Sequence, residues 1–336
     1  MINQWLFVQF PLVKNELPIV SIIIAARPEQ QEIKAVIAAR ELDYPQDKLE
    51  IIVARGCHPS VQRNLAIKEA KGEIIYFLDD DSVPHPKSLL TAIKHFENKN
   101  IAVVGGPNLC PPDAPFIEQV FAVILSSFLA FGPSRARYSK VDGVRETTEK
   151  ELILCNLLIH KDLLLKFGGF DTNLYPNEEN ALMDEILANG YKLIYDPEFY
   201  IFRRPRKDLK SFIKMLLNYG RGRAEQFRLH PTAGSFLNLI PSLLCVYLMI
   251  LIALIILQPS YTLFFSIPLL LYLVLVIGQT ASLIPTFGFK KSLFAMPLLI
   301  LTNLCYGLGF IKGLFTKPSP PVNEIIEGIK IEKIAG

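Results

Sequence analysis

Residues 232–316 leave a folding chain few options. The stretches "FLNLIPSLLCVYLMILIALIIL" (236–257), "YTLFFSIPLLLYLVLVIGQTASLI" (261–284) and "SLFAMPLLILTNLCYGLGFIKGLF" (292–315) are almost free of charge. Each reaches the roughly 20 apolar residues that cross a bilayer core. Burial as three helices of a soluble protein is excluded, because no polar face is left to meet water. Pro241, Pro268 and Pro297 are tolerated inside membrane helices. The chain of 336 residues is 51% hydrophobic, and this part carries the excess. A globular part and a membrane part of about three transmembrane helices are therefore predicted.

Charge gives the orientation. Arg203, Arg204, Arg206, Lys207, Lys210, Lys214, Arg221, Arg223 and Arg228 precede the first span, so 203–230 reads as a basic interfacial segment contacting membrane lipids. The positive-inside rule places that flank, and the globular part with it, on the cytoplasmic side of a cell or inner membrane. Lys290 and Lys291, between the second and third spans, agree. Three crossings would put the tail, 317–336, on the opposite side, against the pull of Lys312 and Lys317. Residues 1–17 form a further segment, in which Trp5, Phe7 and Phe10 either rest at the membrane surface or pack on the domain. The apolar stretch 116–131 is too short to span and reads as a core helix or a helix at the bilayer surface. A net charge of +3 gives no case for nucleic acid, and five scattered cysteines without a CxxC pair exclude a zinc site or disulfide framework.

Between residues 18 and 106 strand and helix patterns alternate. "PIVSIIIAA", "LEIIVAR", "EIIYFL" and "IAVVGG" are β-branched apolar runs, separated by helical stretches such as "PSVQRNLAIKEAKG". That alternation predicts an α/β domain with a Rossmann-like, mostly parallel sheet over 18–230. In such sheets ligands bind beyond the carboxyl ends of the strands. The third strand runs into Asp79, Asp80 and Asp81 at that edge, where a divalent cation would offset their repulsion or a solvated turn would dilute it. Glu178 and Glu179 open a helical run, where negative charge is favoured. In "NYGRGR" (218–223), Gly220 and Gly222 free the backbone around Arg221 and Arg223, which suit phosphate or anionic lipid.

Taken together these stretches resemble the family 2 glycosyltransferases of GT-A fold, inverting enzymes that use nucleotide-sugar donors. "PIVSIIIAARPE" resembles their opening strand and nucleotide loop, and "QRNLAIKEAKGEIIYFLDDDSVPHP" the stretch with their Asp-x-Asp motif. "GGFDTNLYPNEENALMDEILANGYKLIYDPE" resembles the acceptor loop and Glu-Asp motif, and "NYGRGR" the basic element that follows. The resemblance implies donor contacts from Ala25, Arg27, Glu29, Arg55, Asp79, Asp80, Arg221 and Arg223. It implies a Mg²⁺ or Mn²⁺ ion on Asp81, with Asp79 beside it, and a catalytic base at Glu179 with Glu178 as its neighbour. Asn156 and Tyr138 fall on the acceptor side.

Three positions depart from the family pattern. Arg55 stands where an Asp usually reads the base; as a donor only, it implies that base recognition differs or that Arg55 pairs with phosphate or with Asp79. Glu179 replaces the more usual Asp, and Arg203 replaces a His. The chain's single tryptophan is Trp5, so the Gln-x-x-Arg-Trp stretch of processive members is missing. The expected activity is transfer from a nucleoside-diphosphate sugar to a lipid-linked or polysaccharide acceptor. The alternatives are transfer onto a polyprenyl phosphate and non-catalytic binding of a nucleotide sugar.

Overall fold

The computed structural model of the protein describes residues 16–174, 177–229, 231, 233–316 and 328–334, so Trp5, Phe7 and Phe10 lie outside the described residues. The strands are β1 (Val20–Ala26), β2 (Leu49–Arg55), β3 (Ile74–Asp79), β4 (Val83–Pro84), β5 (Ile101–Gly105), β6 (Asn108–Leu109), β7 (Arg145–Thr147), β8 (Asn156–His160), β9 (Lys192–Tyr195), β10 (Ile201–Phe202) and β11 (Lys330–Ile334). The helices of the globular part are α1 (Lys34–Arg40), α2 (Pro59–Glu69), α3 (Ser88–Ile93), α4 (Phe116–Leu125), α5 (Phe128–Phe131), α6 (Lys161–Lys166), α7 (Glu178–Ala188) and α8 (Leu209–Leu229). Then follow α9 (Ile240–Leu257), α10 (Thr262–Phe265), α11 (Ile267–Phe287) and α12 (Phe289–Phe315).

The main sheet has the order β11-β2-β1-β3-β8-β5-β9-β7. β1 is parallel to β2 and β3, and β5 is parallel to β9. β8, β7 and β11 run the other way. "IAVVGG" is thus a strand, as its composition suggests, but β8 lies between it and β3. Alternation along β1 divides the core into two layers. Ile22 and Ile24 face Ala35 and Ala39 of α1 and Leu89 and Ala92 of α3, whereas Ile23 faces the side of Ala66 and Ile67 of α2, Leu163 of α6 and Met183 of α7. A second, small sheet, β4-β10-β6, lies beyond the end of β3.

A third core joins this domain to the apolar helices. Phe121 of α4 stacks on Phe212 of α8 at 4.2 Å, and Leu283, Ala295 and Leu299 of α11 and α12 pack into the same cluster. The stretch 116–131 is accordingly a helix pair, bent by 63°, wedged between the domain and the apolar helices. Three helical stretches are long and apolar enough to cross a membrane: Phe236–Leu257, Pro259–Phe287 and Phe289–Phe315.

Gly220 and Gly222 do not open a loop, because both lie inside the continuous helix α8. Helix packing is the reason for Gly220. A Cβ on it would stand 2.1 Å from the carbonyl oxygen of Tyr306, and one on Gly309 of α12 would stand 2.2 Å from that of Leu217. These contacts let α8 and α12 approach backbone to backbone. The residues expected in a tail across the membrane are also placed otherwise, since β11 extends the edge of the main sheet beside β2.

Gly309→Leu is expected to cost about 3 kcal/mol or more, because the obstacle is backbone that cannot rotate away. Gly278→Ala, where a Cβ meets nothing within 4 Å, is expected to be neutral or slightly stabilising. Thermal unfolding of the detergent-solubilised protein compares the two.

Candidate active site

The parallel register brings the first site residues to one edge. Ala25 pairs with Ala54 on one side and Asp79 on the other, and Ala26 pairs with Arg55. Beyond β3 the chain turns sharply: Ser82 donates its N–H to the carbonyl of Asp79 at 3.0 Å, and the carbonyl of Asp80 accepts the N–H of Ala35 in α1 at 3.1 Å. The small sheet then carries a cation to the turn. Phe202 pairs with Val83, so Arg203, the next residue, lies over the carboxylates. Its Nη1 is 2.9 Å from Asp79, and its Nε donates to Asp81.

A second cation ties this edge to the start of α7. Arg63 on α2 is 8% exposed and reaches Asp79 at 3.2 Å and Glu178 at 3.1 Å. One guanidinium therefore links the Asp79–Asp81 turn with the Glu178–Glu179 pair. Burial alone would raise the Asp79 carboxyl, but Arg203, Arg63 and Arg206 outweigh it and hold the group below its ordinary value. Glu178 shifts the opposite way. Burial first, and then the charge of Glu179, push it up to about 7 against the pull of Arg63. Glu178 is thus set to take up or release a proton near neutrality.

α7 begins after Asn177, whose φ of +100° lies in the left-handed region that Asn tolerates better than most residues. Asn180 donates to the side chain of Asn177 and accepts from buried Arg137 at 2.6 Å, while Arg137 also donates to the carbonyls of Glu149 and Lys150. Asp184, one turn further along α7, is raised to about 7 by burial and by Glu149.

A cleft of about 460 Å³ opens beside Asp81. Arg203, Arg204, Arg206 and Lys207 line one part of it, and Tyr138, Met215 and Tyr219 another. The hydroxyls of Tyr138 and Tyr219 are 3.4 Å apart. Arg204 grips Glu118 of α4 through two hydrogen bonds, which leaves that carboxylate only 2% exposed.

Several expected site residues are placed elsewhere. Asn156 is fully buried, accepting from the Tyr76 hydroxyl and donating to the Phe199 carbonyl, so its amide serves the fold and not an acceptor. Arg55 is paired with a carboxylate other than Asp79. It pairs with Glu332 of β11 at 2.9 Å and donates to the carbonyl of Gln30 at 2.6 Å, fastening the loop after β1. On that loop Arg27 and Glu29 are exposed. Arg221 pairs with Glu225 within α8 and Arg223 with Gln226, while the basic lining of the cleft comes from Arg203 to Lys207. Those residues were legible in the sequence as membrane-flanking charge, and Arg203 also as a departure from a family His. Arg63 carried no signal except its place in "QRN", ahead of the third strand.

Among the described residues no group of three or more His, Cys, Asp or Glu surrounds a common point. The donor set fits a hard divalent cation in one form only: Asp81, 46% exposed toward the cleft, completed by phosphate oxygens and water, with Arg203 displaced.

Residues 47–164 match the family model described as Glycosyl transferase family 2. No curated protein matches the sequence. Among solved structures, the chain is similar to the mannosyltransferase PcManGT from Pyrobaculum calidifontis, in complex with GDP-Man and Mn²⁺. The identity is 18% and the TM-score 0.59, over 90% of this chain and 88% of that one. It is also similar to residues 1–349 of S. aureus TarS in complex with UDP, at 12% identity and a TM-score of 0.42, over 93% and 98% of the two chains. The first likeness shows a shared GT-A-like fold.

Arg63→Met is expected to leave two buried or half-buried carboxylates without their common partner and to lower stability by about 3 kcal/mol. Chemical denaturation at neutral pH measures it. The loss should shrink in Arg63→Met/Glu178→Gln, where the more buried of the two charges is gone.

Proposed function

We propose that this chain, a family 2 glycosyltransferase by its residues 47–164, moves a sugar from a nucleoside-diphosphate donor to a lipid-linked or polysaccharide acceptor at the cytoplasmic face of the membrane. The observation that carries this reading is the Arg63 bridge, one guanidinium that contacts both Asp79 and Glu178. In the proposed reaction it keeps the donor-side turn and the start of α7 next to each other.

The nucleotide would lie over the ends of β1 and β3, along Ala25, Arg27 and Asp79, in a loop held by Arg55. Asp81, with Asp79 behind it, would hold Mg²⁺ or Mn²⁺ at the diphosphate, and that ion supplies neutralising charge to the leaving group. Arg203, Arg206 and Lys207 offer further positive charge in the same cleft. Glu179, in the first turn of α7, takes the proton of the attacking hydroxyl. Glu178 and Arg63 position it and set its charge. Attack opposite to the leaving diphosphate inverts the anomeric centre.

Transfer onto a polyprenyl phosphate is the second reading, supported by the basic lining of Arg203 to Lys207 beside Ala122 and Leu125 of α4 and Met215 of α8. An acceptor that is already an anion needs little help from a base.

Purified protein incubated with a panel of labelled nucleotide sugars and Mn²⁺ should release nucleoside diphosphate with one of them, and Asp81→Asn should abolish release. Donor binding without release from any of them would make the chain a binding protein and reject the proposal. Glu179→Gln is expected to lower kcat by about 10²–10⁴ with donor affinity unchanged. A loss under tenfold would favour the phosphate acceptor.

The pH dependence follows from the glutamate pair. Glu178, pushed up to about 7 by burial and by the charge of Glu179, takes a proton as pH drops through about 7 and weakens its ion pair with Arg63, so kcat/KM should fall there. Glu178→Gln removes that titration, so the fall near pH 7 should disappear. A fall that persists near pH 7 in Glu178→Gln would show that Glu178 is not the titrating group.

A further inference from the structure

We infer that the chain leaves the apolar helices on the same side of the membrane as the catalytic sheet, so that α12 lies along the membrane surface instead of crossing it. The inference requires the apolar helices to meet lipid and depends on no particular transfer reaction.

The first argument is parity. β11 pairs antiparallel with β2 over five consecutive residues, Lys330 opposite Arg55 through Ile334 opposite Ile51. It is built into the domain on both faces, with Ile334 packed on the core layer of α1 and Ile331 on that of α2. Glu332 holds Arg55, and Lys333 donates to the carbonyl of Glu69 at 2.7 Å. Residues 20–55 and 330–334 therefore occupy one compartment. Between α12 and β11, residues 317–327 include Lys317, Glu324 and Glu327 and cannot supply a further crossing. The bent pair α4 and α5 cannot supply one either, because the chain leaves β6 and returns to β7 on the same domain. The number of crossings made by α9, α11 and α12 is even.

The second argument identifies the helix that does not cross. Of the most apolar stretch of each candidate span, 17% is buried in the first, 6% in the second and 44% in the third. α12 touches the globular domain at both ends. At its start, Lys291 donates to Gln119 of α4 at 3.0 Å and Phe294 meets Phe116. At its end, Arg228 of α8 donates to the carbonyls of Gly313 and Thr316 at 3.2 and 2.6 Å. A 27-residue helix is about 40 Å long, and α12 spans from its contact with α4 to its contact with the end of α8. Both its ends are basic, Lys290 and Lys291 at one and Lys312 at the other, so the positive-inside bias draws both to the same side. The remaining pair, α9 with α10 and α11, folds back on itself where the Tyr247 hydroxyl donates to the carbonyl of Phe265. Ile256, Leu257, Leu263 and Phe264 near its turn are 70% exposed or more, and only lipid suits them. This hairpin enters the bilayer and returns.

The test uses the full chain in sealed vesicles of known orientation, with exposed Cys57 and half-buried Cys110 changed to Ser. Single cysteines replace exposed residues: Val144 in the domain, Lys290 and Lys312 at the two ends of α12, and Lys330 in β11. A membrane-impermeant maleimide should label Val144→Cys and Lys330→Cys in the same vesicle orientation, and Lys290→Cys and Lys312→Cys likewise. Labelling of Val144→Cys and Lys330→Cys from opposite sides would overturn the parity argument. Opposite sides for Lys290→Cys and Lys312→Cys would make α12 a span. Donor release from the same vesicles is read separately, so a failure of the topology is distinguishable from a failure of the proposed reaction.

Discussion

Five carboxylates converge on one edge of the sheet, and the arrangement persists only because guanidinium groups are fixed among them. In a partly buried cleft, like charges repel more strongly than in water and the cost of an unpaired ion rises. Arg63 and Arg203 meet that constraint from opposite directions. Arg63 rises from α2 between the Asp79 turn and the Glu178 pair, and Arg203 descends from the small sheet onto Asp79 and Asp81. Neither position is local. Arg63 depends on the β2-α2-β3 crossover, and Arg203 depends on the pairing of β10 with β4. The fold as a whole therefore sets the charge state of the site, which is why Asp79 is held down while Glu178, a few ångströms away across one side chain, is pushed up.

What the sequence made legible follows the same division between local and distant causes. Strands β1, β2, β3 and β5 are continuous β-branched runs buried on both faces, a pattern that survives any context. The placement of Asp79 to Asp81 at a strand's carboxyl end follows from that pattern alone. The apolar helices are equally plain, because length and absence of charge are properties of the segment itself. β8 was not legible: its five residues end in His160 and run directly into Lys161 of α6, with no turn residue between strand and helix. β11 alternates charge and isoleucine like many solvated segments, and only the free edge of β2 makes it a strand. Gly220 and Gly222 read as loop glycines because a close helix partner, itself made close by Gly309, lies about ninety residues away. Asn156 read as a candidate ligand because a buried amide in a strand cannot be told from a functional one without its partners.

The apolar helices are structural parts of the site as well as a likeness to membrane spans. Ala122 and Leu125 of α4 and Met215 and Tyr219 of α8 line the cleft beside Asp81, and the opposite sides of the same helices pack on α11 and α12. Backbone contact between α8 and α12 makes that connection stiff. A displacement of the apolar helices is therefore a displacement of that side of the cleft, while the Asp79–Asp81 turn, built on β3 and its neighbours β1 and β2, is held independently by the sheet.

Charge balance then separates the resting site from the loaded one. Asp79 and Asp81 lie against Arg203, and Asp79 also meets Arg63, which it shares with Glu178, and the charge of Arg206, so the resting turn carries little net charge. In the proposed reaction the diphosphate of a nucleotide sugar brings two further negative charges, and Arg203 cannot satisfy both the carboxylates and the phosphates with one planar fork. Either Arg203 turns to the diphosphate and leaves Asp81 open to a divalent ion, or it stays and the phosphates draw on Arg206 and Lys207 alone. The first arrangement restores neutrality with a single dication. The second leaves an excess of negative charge where more must develop during transfer. On electrostatic grounds the exchange of Arg203 from carboxylate to phosphate is the move that prepares the site for its donor.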